Sequence, residues 1–105
     1  MKEITNQLLD EKKDLLLYIH TPFCGTCHIA RQMLVQIEEI HKKQLFYEMN
    51  ASLFPKFMQE NKVESVPCLF IKVHGEIKEK VYVFRSVSNM YRYIWKYFPE
   101  ILKEF

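Results

Sequence analysis

The chain has 105 residues, a length that suits one domain built on one hydrophobic core. Hydrophobic residues make up 49% of it, which argues against disorder, and 15 basic against 13 acidic residues give a net charge of +2. Because the charges are scattered and form no basic stripe, nucleic-acid binding has little support. We therefore expect a single domain over residues 1–105, with no nucleic acid among its partners.

The first residues are polar and lack the apolar segment of a signal peptide. No apolar run approaches the ~20 residues that a membrane-spanning helix needs. We therefore expect a soluble cytoplasmic monomer that does not contact a membrane. Three cysteines in a reducing compartment argue against a disulfide framework and favour a redox or metal-binding role.

The first half of the chain predicts two strands joined by a long helix. Residues 3–13 predict a short amphipathic helix, and the continuous apolar run at 15–20 predicts a strand buried on both faces. From about residue 28 to 41 the apolar positions recur with helical spacing, and residues 44–50 predict a second strand. The apolar positions of the long helix are Ala30, Leu34 and Ile37, with Met33 and Ile40 beside them. This order predicts a parallel, right-handed βαβ unit.

The second half predicts a short helix, a hairpin and a closing helix. Residues 52–61 predict the short helix, and residues 68–74 and 76–84 predict a hairpin that turns at Gly75. A final helix follows, with Pro99 at its end or at a kink. The expected fold class is α/β, with a central mixed four-stranded sheet, a possible short N-terminal element, and helices on both faces of the sheet.

A C-x-x-C motif, Cys24-Gly25-Thr26-Cys27, lies where the first predicted strand turns into the long helix. The first turn of a helix has backbone N–H groups without intrahelical partners and carries a partial positive charge. A sulfur placed there is stabilised as the thiolate, which is the reactive form. Two intervening residues let both sulfurs lie on one helical face and close a small disulfide that an incoming thiol can open. In this setting the motif favours thiol–disulfide chemistry.

With these features the chain resembles the thioredoxin family over nearly its whole length. The order of strand, CGTC motif and helix matches, and the segment Val-Glu-Ser-Val-Pro at 63–67 is similar to the family's segment leading to its cis-proline. The hairpin with Gly75 in its turn and the closing helix complete the resemblance. It implies the thioredoxin fold, and it is greatest to small bacterial thioredoxin-like proteins.

The resemblance implies roles for particular residues. Cys24 matches the family's nucleophilic cysteine and Cys27 its buried resolving cysteine. Pro67 matches the cis-proline that faces the motif, Val66 the residue whose backbone pairs with an extended substrate segment, and Phe23 a substrate-binding position. The implied function is a thiol–disulfide oxidoreductase for protein disulfides. It would need no cofactor, and a separate reductase or a low-molecular-weight thiol would recycle it.

The chain departs from the family's pattern around this site. Phe23 stands where the family has tryptophan, and Thr26 stands where the family has proline. Tyr18 replaces a buried aspartate six residues before the first cysteine, Glu48 replaces a lysine of the next strand, and Val83 replaces a glycine near the end of the hairpin. Because these changes fall on the family's proton path and partner surface, we expect both to differ here.

Residues beside the cysteines are candidates for tuning their chemistry. Gly25 and Thr26 influence the thiol pKa and the geometry of the ring. His28 is either a solvated helix residue or, when protonated, a group that lowers the pKa of the attacking cysteine, although a cation there opposes the helix dipole. Glu48 is either an exposed strand residue or a desolvated carboxylate that serves the resolving cysteine as general base.

The alternative function is a thioredoxin-fold binding module without turnover. It would hold a metal or an iron–sulfur cluster through Cys24, Cys27 and Cys68, or dock a partner through the aromatic helix near residues 91–97. Zinc usually takes four N or S ligands, however, and no second C-x-x-C is present. With His28 the motif also spells the haem c attachment sequence, but that attachment normally happens outside the cytoplasm. We expect no metal, and we expect Cys68 to be a small buried strand residue.

Overall fold

The computed structural model describes residues 1–102, so residues 103–105 of the expected domain lie outside the described part. In chain order the elements are β1 (Lys2–Glu3), α1 (Asn6–Glu11), β2 (Leu15–His20), α2 (Gly25–His41), β3 (Tyr47–Asn50), a 3-10 turn (Ala51–Leu53), α3 (Pro55–Glu60), β4 (Cys68–Val73), β5 (Glu76–Val81), α4 (Val87–Tyr97) and α5 (Pro99–Leu102). None of the helices described within residues 1–102 is long and apolar enough to cross a membrane.

The sheet is mixed, as expected, but the described chain forms five strands rather than four. The strand order is β1-β3-β2-β4-β5, with β1, β3 and β2 parallel and with β4 and β5 antiparallel to their neighbours. The additional strand is β1, whose Lys2 pairs with Tyr47 and whose neighbour Ile4 donates a 2.9 Å hydrogen bond to the Glu48 carbonyl. The helix predicted at 3–13 is therefore confined to α1, with the Thr5 side chain as its N-cap.

Two strand boundaries differ from the prediction, each because of the contacts that the strand makes in the fold. The strand expected at 44–50 begins only at Tyr47, because the N–H groups of Leu45 and Phe46 donate to the Glu38 carboxylate instead of to a strand. The strand expected at 76–84 ends at Val81, because its partner β4 begins at residue 68 and offers no further pairing.

The strands alternate their side chains between two apolar layers, which confirms helices on both faces. Leu16 and Tyr18 of β2 pack with α2 and α4 on one face, whereas Leu17 and Ile19 pack with α1 and α3 on the other. The first cluster is formed by Leu16, Tyr18, Ala30, Leu34, Ile37, Phe46, Leu69, Ile71, Val81, Met90, Ile94 and Phe98. The second is formed by Ile4, Leu15, Leu17, Ile19, Met49, Val63, Cys68 and Phe70.

The long helix α2 connects the sheet to the C-x-x-C motif. It starts at Gly25, three residues before the predicted start, because Cys24 takes the N-cap position. Its buried face matches the predicted apolar positions except at the end, where Ile40 is exposed and Glu38 is buried. The parallel βαβ arrangement of β2, α2 and β3 places the start of α2 at the carboxyl end of β2.

Candidate redox site

The two cysteines of the motif occupy the first turn of α2. Cys24 is the N-cap, and its Sγ accepts a 3.2 Å hydrogen bond from the backbone N–H of Cys27. The Cys24 Sγ also lies 3.3 Å from the Thr26 Oγ1. A first-turn N–H and a hydroxyl aimed at this sulfur stabilise its negative charge when the disulfide is opened. The helix start therefore favours the thiolate of Cys24.

Cys24 and Cys27 are joined by a disulfide whose Cα atoms are 5.1 Å apart, inside the usual range for such a bond. The two sulfurs differ in access, because Cys24 is half-buried whereas Cys27 is only 3% exposed. A thiol or disulfide arriving from solvent can therefore approach Cys24 but not Cys27.

Tyr18 lies beneath the disulfide. It is fully buried in β2, and its hydroxyl donates a hydrogen bond to the Cys27 carbonyl oxygen. Burial raises the pKa of Tyr18 far above its ordinary value; the Glu48 charge raises it further, while Arg31 partly offsets the shift. The phenol is therefore neutral near physiological pH and acts as a hydrogen-bond donor that fixes the first turn of α2.

Glu48 of β3 forms an ion pair with Arg31 of α2. Arg31 donates from Nε at 3.2 Å and from Nη2 at 3.1 Å to one Glu48 carboxylate oxygen. The Glu48 side chain is 15% exposed and that of Arg31 45%, so the ion pair is partly open to solvent. The sequence singled out Glu48 but missed Arg31, although Arg31 follows Cys27 by four residues and therefore lies on the same helix face.

A cavity of about 190 Å³ opens beside the disulfide. It is lined by Tyr18, His20, Thr21, Pro22, Cys24, Cys27, His28 and Arg31. His28 is exposed there, and its Nε2 lies 3.2 Å from the Nε2 of Gln32. The cavity brings both cysteines together with three nitrogen-bearing side chains, of which only His28 was singled out from the sequence.

The expected substrate-binding residues lie around the same end of the sheet. Phe23, directly before Cys24, is fully exposed. The Val66–Pro67 peptide bond is cis, and both residues are half-buried. The antiparallel register pairs Ile19 with residue 68, so Pro67 lies beside the end of β2, from which the chain leads into the motif. Gly25, Thr26 and Val83 are exposed.

Cys68 lies in the second apolar cluster, on the sheet face away from α2. It is fully buried, and burial raises the pKa of its thiol to about 12, with a smaller opposing effect of Lys80. Among residues 1–102 no three or more His, Cys, Asp or Glu side chains are grouped so that they could hold a metal ion. In the described structure, Cys68 is therefore not a third ligand beside the C-x-x-C motif.

Cys68 should remain unreactive while the protein is folded. With the Cys24–Cys27 disulfide closed, iodoacetamide at about pH 8 should leave the native protein unlabelled, because a thiol with a pKa of about 12 forms almost no thiolate there. In denaturant the same protein should gain one label, and Cys68→Ala should gain none, as measured by mass spectrometry. Rapid labelling of the native, oxidised protein would show that this thiol is accessible.

These features together define a class of protein: a thioredoxin-type α/β fold whose sheet and α2 present a disulfide-forming cysteine pair for thiol–disulfide exchange. The chain belongs to the thioredoxin family, since the family model described as Thioredoxin matches residues 1–96. The thioredoxin family typically acts on protein disulfides and is recycled by a reductase. The expected family and fold are therefore confirmed.

Similar proteins agree with this assignment. The chain is 41% identical over 96 residues to the protein described as thioredoxin-like protein YusE from Bacillus subtilis (strain 168), covering 90% of this chain and 91% of that one. The oxidised thioredoxin of Plasmodium falciparum superposes with a TM-score of 0.74 at 13% identity, over 91% of this chain and 96% of that one. Mitochondrial thioredoxin 3 of Saccharomyces cerevisiae superposes with a TM-score of 0.73 at 15% identity, over 91% of this chain and 94% of that one. At such low identity the two structures support the fold alone.

Proposed function

We propose that this chain is a thiol–disulfide oxidoreductase that reduces protein disulfides through Cys24 and Cys27. The observation that carries the proposal is the asymmetric disulfide at the start of α2, with a half-buried Cys24 at the N-cap and a buried Cys27 behind it. An accessible sulfur that is stabilised as thiolate suits attack, and a protected neighbour suits resolution.

The proposed reaction has two exchange steps. In the reduced protein the Cys24 thiolate attacks one sulfur of the substrate disulfide, and the other substrate sulfur leaves with the bonding electrons and takes a proton. The Cys27 thiolate then attacks the Cys24 Sγ, the bond between Cys24 and the substrate breaks, and the second substrate sulfur leaves. The substrate gains two electrons and two protons, and the Cys24–Cys27 disulfide is restored.

The proposed substrate surface surrounds Cys24. Phe23 supplies an exposed apolar side chain next to the attacking sulfur. Val66 and Pro67 lie at the end of the sheet where β2 leads into the motif, and the backbone of Val66 is proposed to pair with an extended segment of the substrate. Main-chain pairing of this kind supports recognition of many different protein substrates, because it depends little on their side chains.

Residues around the motif are proposed to tune the reaction rather than to bind substrate. Thr26 contacts the attacking sulfur, and Gly25 exposes the first turn of α2. His28 adds an ionisable group to the cavity. Glu48 acts indirectly, because its ion pair with Arg31 positions the guanidinium that lines the cavity. We further propose that the domain works in the cytoplasm as a monomer without a cofactor and that a separate reductase or a low-molecular-weight thiol returns it to the dithiol.

The direct test is reduction of insulin with dithiothreitol as the electron source. The wild-type protein should accelerate precipitation of the insulin chains, and Cys24→Ala should fall to the uncatalysed rate, because Cys27 and Cys68 are buried and out of reach of the substrate disulfide. Cys68→Ala is the matched control and should retain activity, since Cys68 lies on the other sheet face. The binding-module alternative instead predicts that wild type and Cys24→Ala both stay at the uncatalysed rate.

A further inference from the structure

His20 lies in the redox cavity, although nothing in the sequence marked it. It is the last residue of β2 and is half-buried. Its ring stacks on the Tyr18 ring with a centroid distance of 5.5 Å and an interplanar angle of 13°. It lines the 190 Å³ cavity together with Cys24 and Cys27. A histidine is therefore fixed by stacking in the space where the thiol–disulfide exchange would take place.

The resolving step needs a proton acceptor at this place. Cys27 must lose its proton before it can attack the mixed disulfide, and at 3% exposure it has little contact with water. The loss of solvent around Cys27 disfavours its thiolate, whereas a neighbouring base would assist its formation. Tyr18 is neutral and already donates its hydroxyl to the Cys27 carbonyl oxygen, so it does not accept this proton.

Glu48 is less suited to the role than its position in β3 suggested. Its carboxylate oxygen accepts both hydrogen bonds from Arg31, and Glu48 borders a neighbouring cavity, of about 320 Å³, rather than the one that contains the cysteines. His20 lines both cavities and so lies between Glu48 and the disulfide. Neither ring nitrogen of His20 has a hydrogen-bond partner among residues 1–102. An imidazole without a partner is available to accept a proton.

We propose that His20 takes the proton of Cys27 when Cys27 resolves the mixed disulfide. The inference depends on the proposed function, because it assigns a proton path to its second step. The proton passes from the Cys27 Sγ to a ring nitrogen of His20, and the thiolate attacks the Cys24 Sγ. As the bond between Cys24 and the substrate breaks, the departing substrate sulfur carries the bonding electrons and receives the proton from His20. The ring returns to its neutral form, so the step requires no further reactant.

The charged and titratable groups that line the two cavities with His20 come from four elements, β1, β2, β3 and α2. From β2 and α2 it faces Tyr18, His28 and Arg31, and from β1 and β3 it faces Glu3 and Glu48; the two cysteines complete the set. Arg31 and Glu48 neutralise each other in their ion pair. His28 is more exposed, and its Nε2 lies 3.2 Å from the Gln32 Nε2, so its ring is less confined to the cavity. Of the two histidines in this cavity, His20 is thus the one whose ring position is fixed, because it stacks on the Tyr18 ring.

The two steps can be observed separately with dithiobis(nitrobenzoate), an aromatic disulfide that releases one coloured thiolate at each step. Fully reduced protein carrying Cys68→Ala is mixed with the reagent, and the absorbance is followed by stopped flow over a range of pH. Attack by Cys24 gives the first release, and resolution by Cys27 gives the second. His20→Gln is compared with His74→Gln, the same change in the exposed β4–β5 turn, and His20→Asn is a second test variant.

His20→Gln and His20→Asn should slow the second release about 100-fold near neutral pH while changing the first release by less than about threefold. The difference in second-release rate between the parent and the His20 variants should decrease as pH rises, because hydroxide then removes the Cys27 proton. The wild-type second release should therefore depend less steeply on pH than that of either variant. His74→Gln should match the parent. Circular dichroism melting confirms that the variants are folded.

Two failures can be told apart. A second release whose rate and pH profile are unchanged in both His20 variants overturns this inference and leaves the proposed function standing. The same holds if His28→Gln, and not His20→Gln, slows the second release. The absence of any first release that depends on Cys24 overturns the proposed function itself.

Discussion

Cys27→Ser is expected to trap the protein on its substrate. The variant keeps Cys24 at the N-cap of α2, and it keeps the backbone N–H of residue 27 that donates to the Cys24 sulfur. The first exchange step therefore proceeds. A serine hydroxyl cannot displace the substrate, so the mixed disulfide between Cys24 and the substrate persists. In a single-turnover reaction with insulin, most of the variant should become a covalent adduct.

The adduct is measured as a mass increase on a non-reducing gel and by intact mass spectrometry, and a reductant should remove it. Cys24→Ser is the matched control and should form no adduct, because Cys27 is only 3% exposed. The wild-type protein should show the adduct only transiently. Equal loss of activity in both variants without an adduct would mean that Cys24 does not attack disulfides.

The sequence predicted the fold well because its strongest patterns are local. The buried strand at 15–20, the long amphipathic helix and the hairpin at Gly75 each follow from periodicity or turn chemistry within one segment. The late start of β3 was missed, and β1 was expected only as a possible short N-terminal element, because both depend on contacts between distant segments. The Lys2 backbone pairs with Tyr47, and Glu38 takes the N–H groups that would have extended β3.

The candidate site was likewise predictable where its signal is local and not where it depends on contacts between distant segments. The spacing of Cys24 and Cys27 and their place before a helix mark a redox pair from sequence alone. His20 and Arg31 carry no such mark, since a lone histidine at a strand end and an arginine on a helix are usually solvated. Their place beside the cysteines depends on how α2 packs across β2, which periodicity does not specify. From the sequence Tyr18 was noted as the replacement of a buried aspartate, and its hydrogen bond to the Cys27 carbonyl oxygen was not foreseen.

A buried carboxylate, Glu38, ties the helix that bears the redox pair to the sheet. It lies on α2 with 9% exposure, and its Oε2 accepts hydrogen bonds from the Leu45 N–H at 2.8 Å and the Phe46 N–H at 3.0 Å. Its Oε1 accepts a 2.9 Å hydrogen bond from the amino group of Met1. One side chain thus satisfies donors from the chain start and from the segment that enters β3.

Glu38→Ala is expected to lower the free energy of unfolding by about 3 kcal/mol. The substitution leaves two backbone N–H groups without their acceptor, and each such group costs roughly 1–3 kcal/mol where water cannot replace the partner. The Phe46 N–H belongs to a fully buried residue, so it contributes most. A loss of this size is a large part of the roughly 5–15 kcal/mol that stabilises a typical domain. Urea unfolding followed by circular dichroism measures it.

Glu39→Ala is the matched control, since Glu39 lies next to Glu38 on α2 but is exposed. It should change stability by less than about 0.5 kcal/mol. Glu38→Gln should fall between the two, because its amide oxygen can still accept from the N–H groups of Leu45 and Phe46, whereas the negative charge that faces the Met1 amino group is lost. If Glu38→Ala and Glu39→Ala unfold at the same urea concentration, the backbone at residues 45 and 46 finds other partners, and Glu38 does not hold α2 against the sheet.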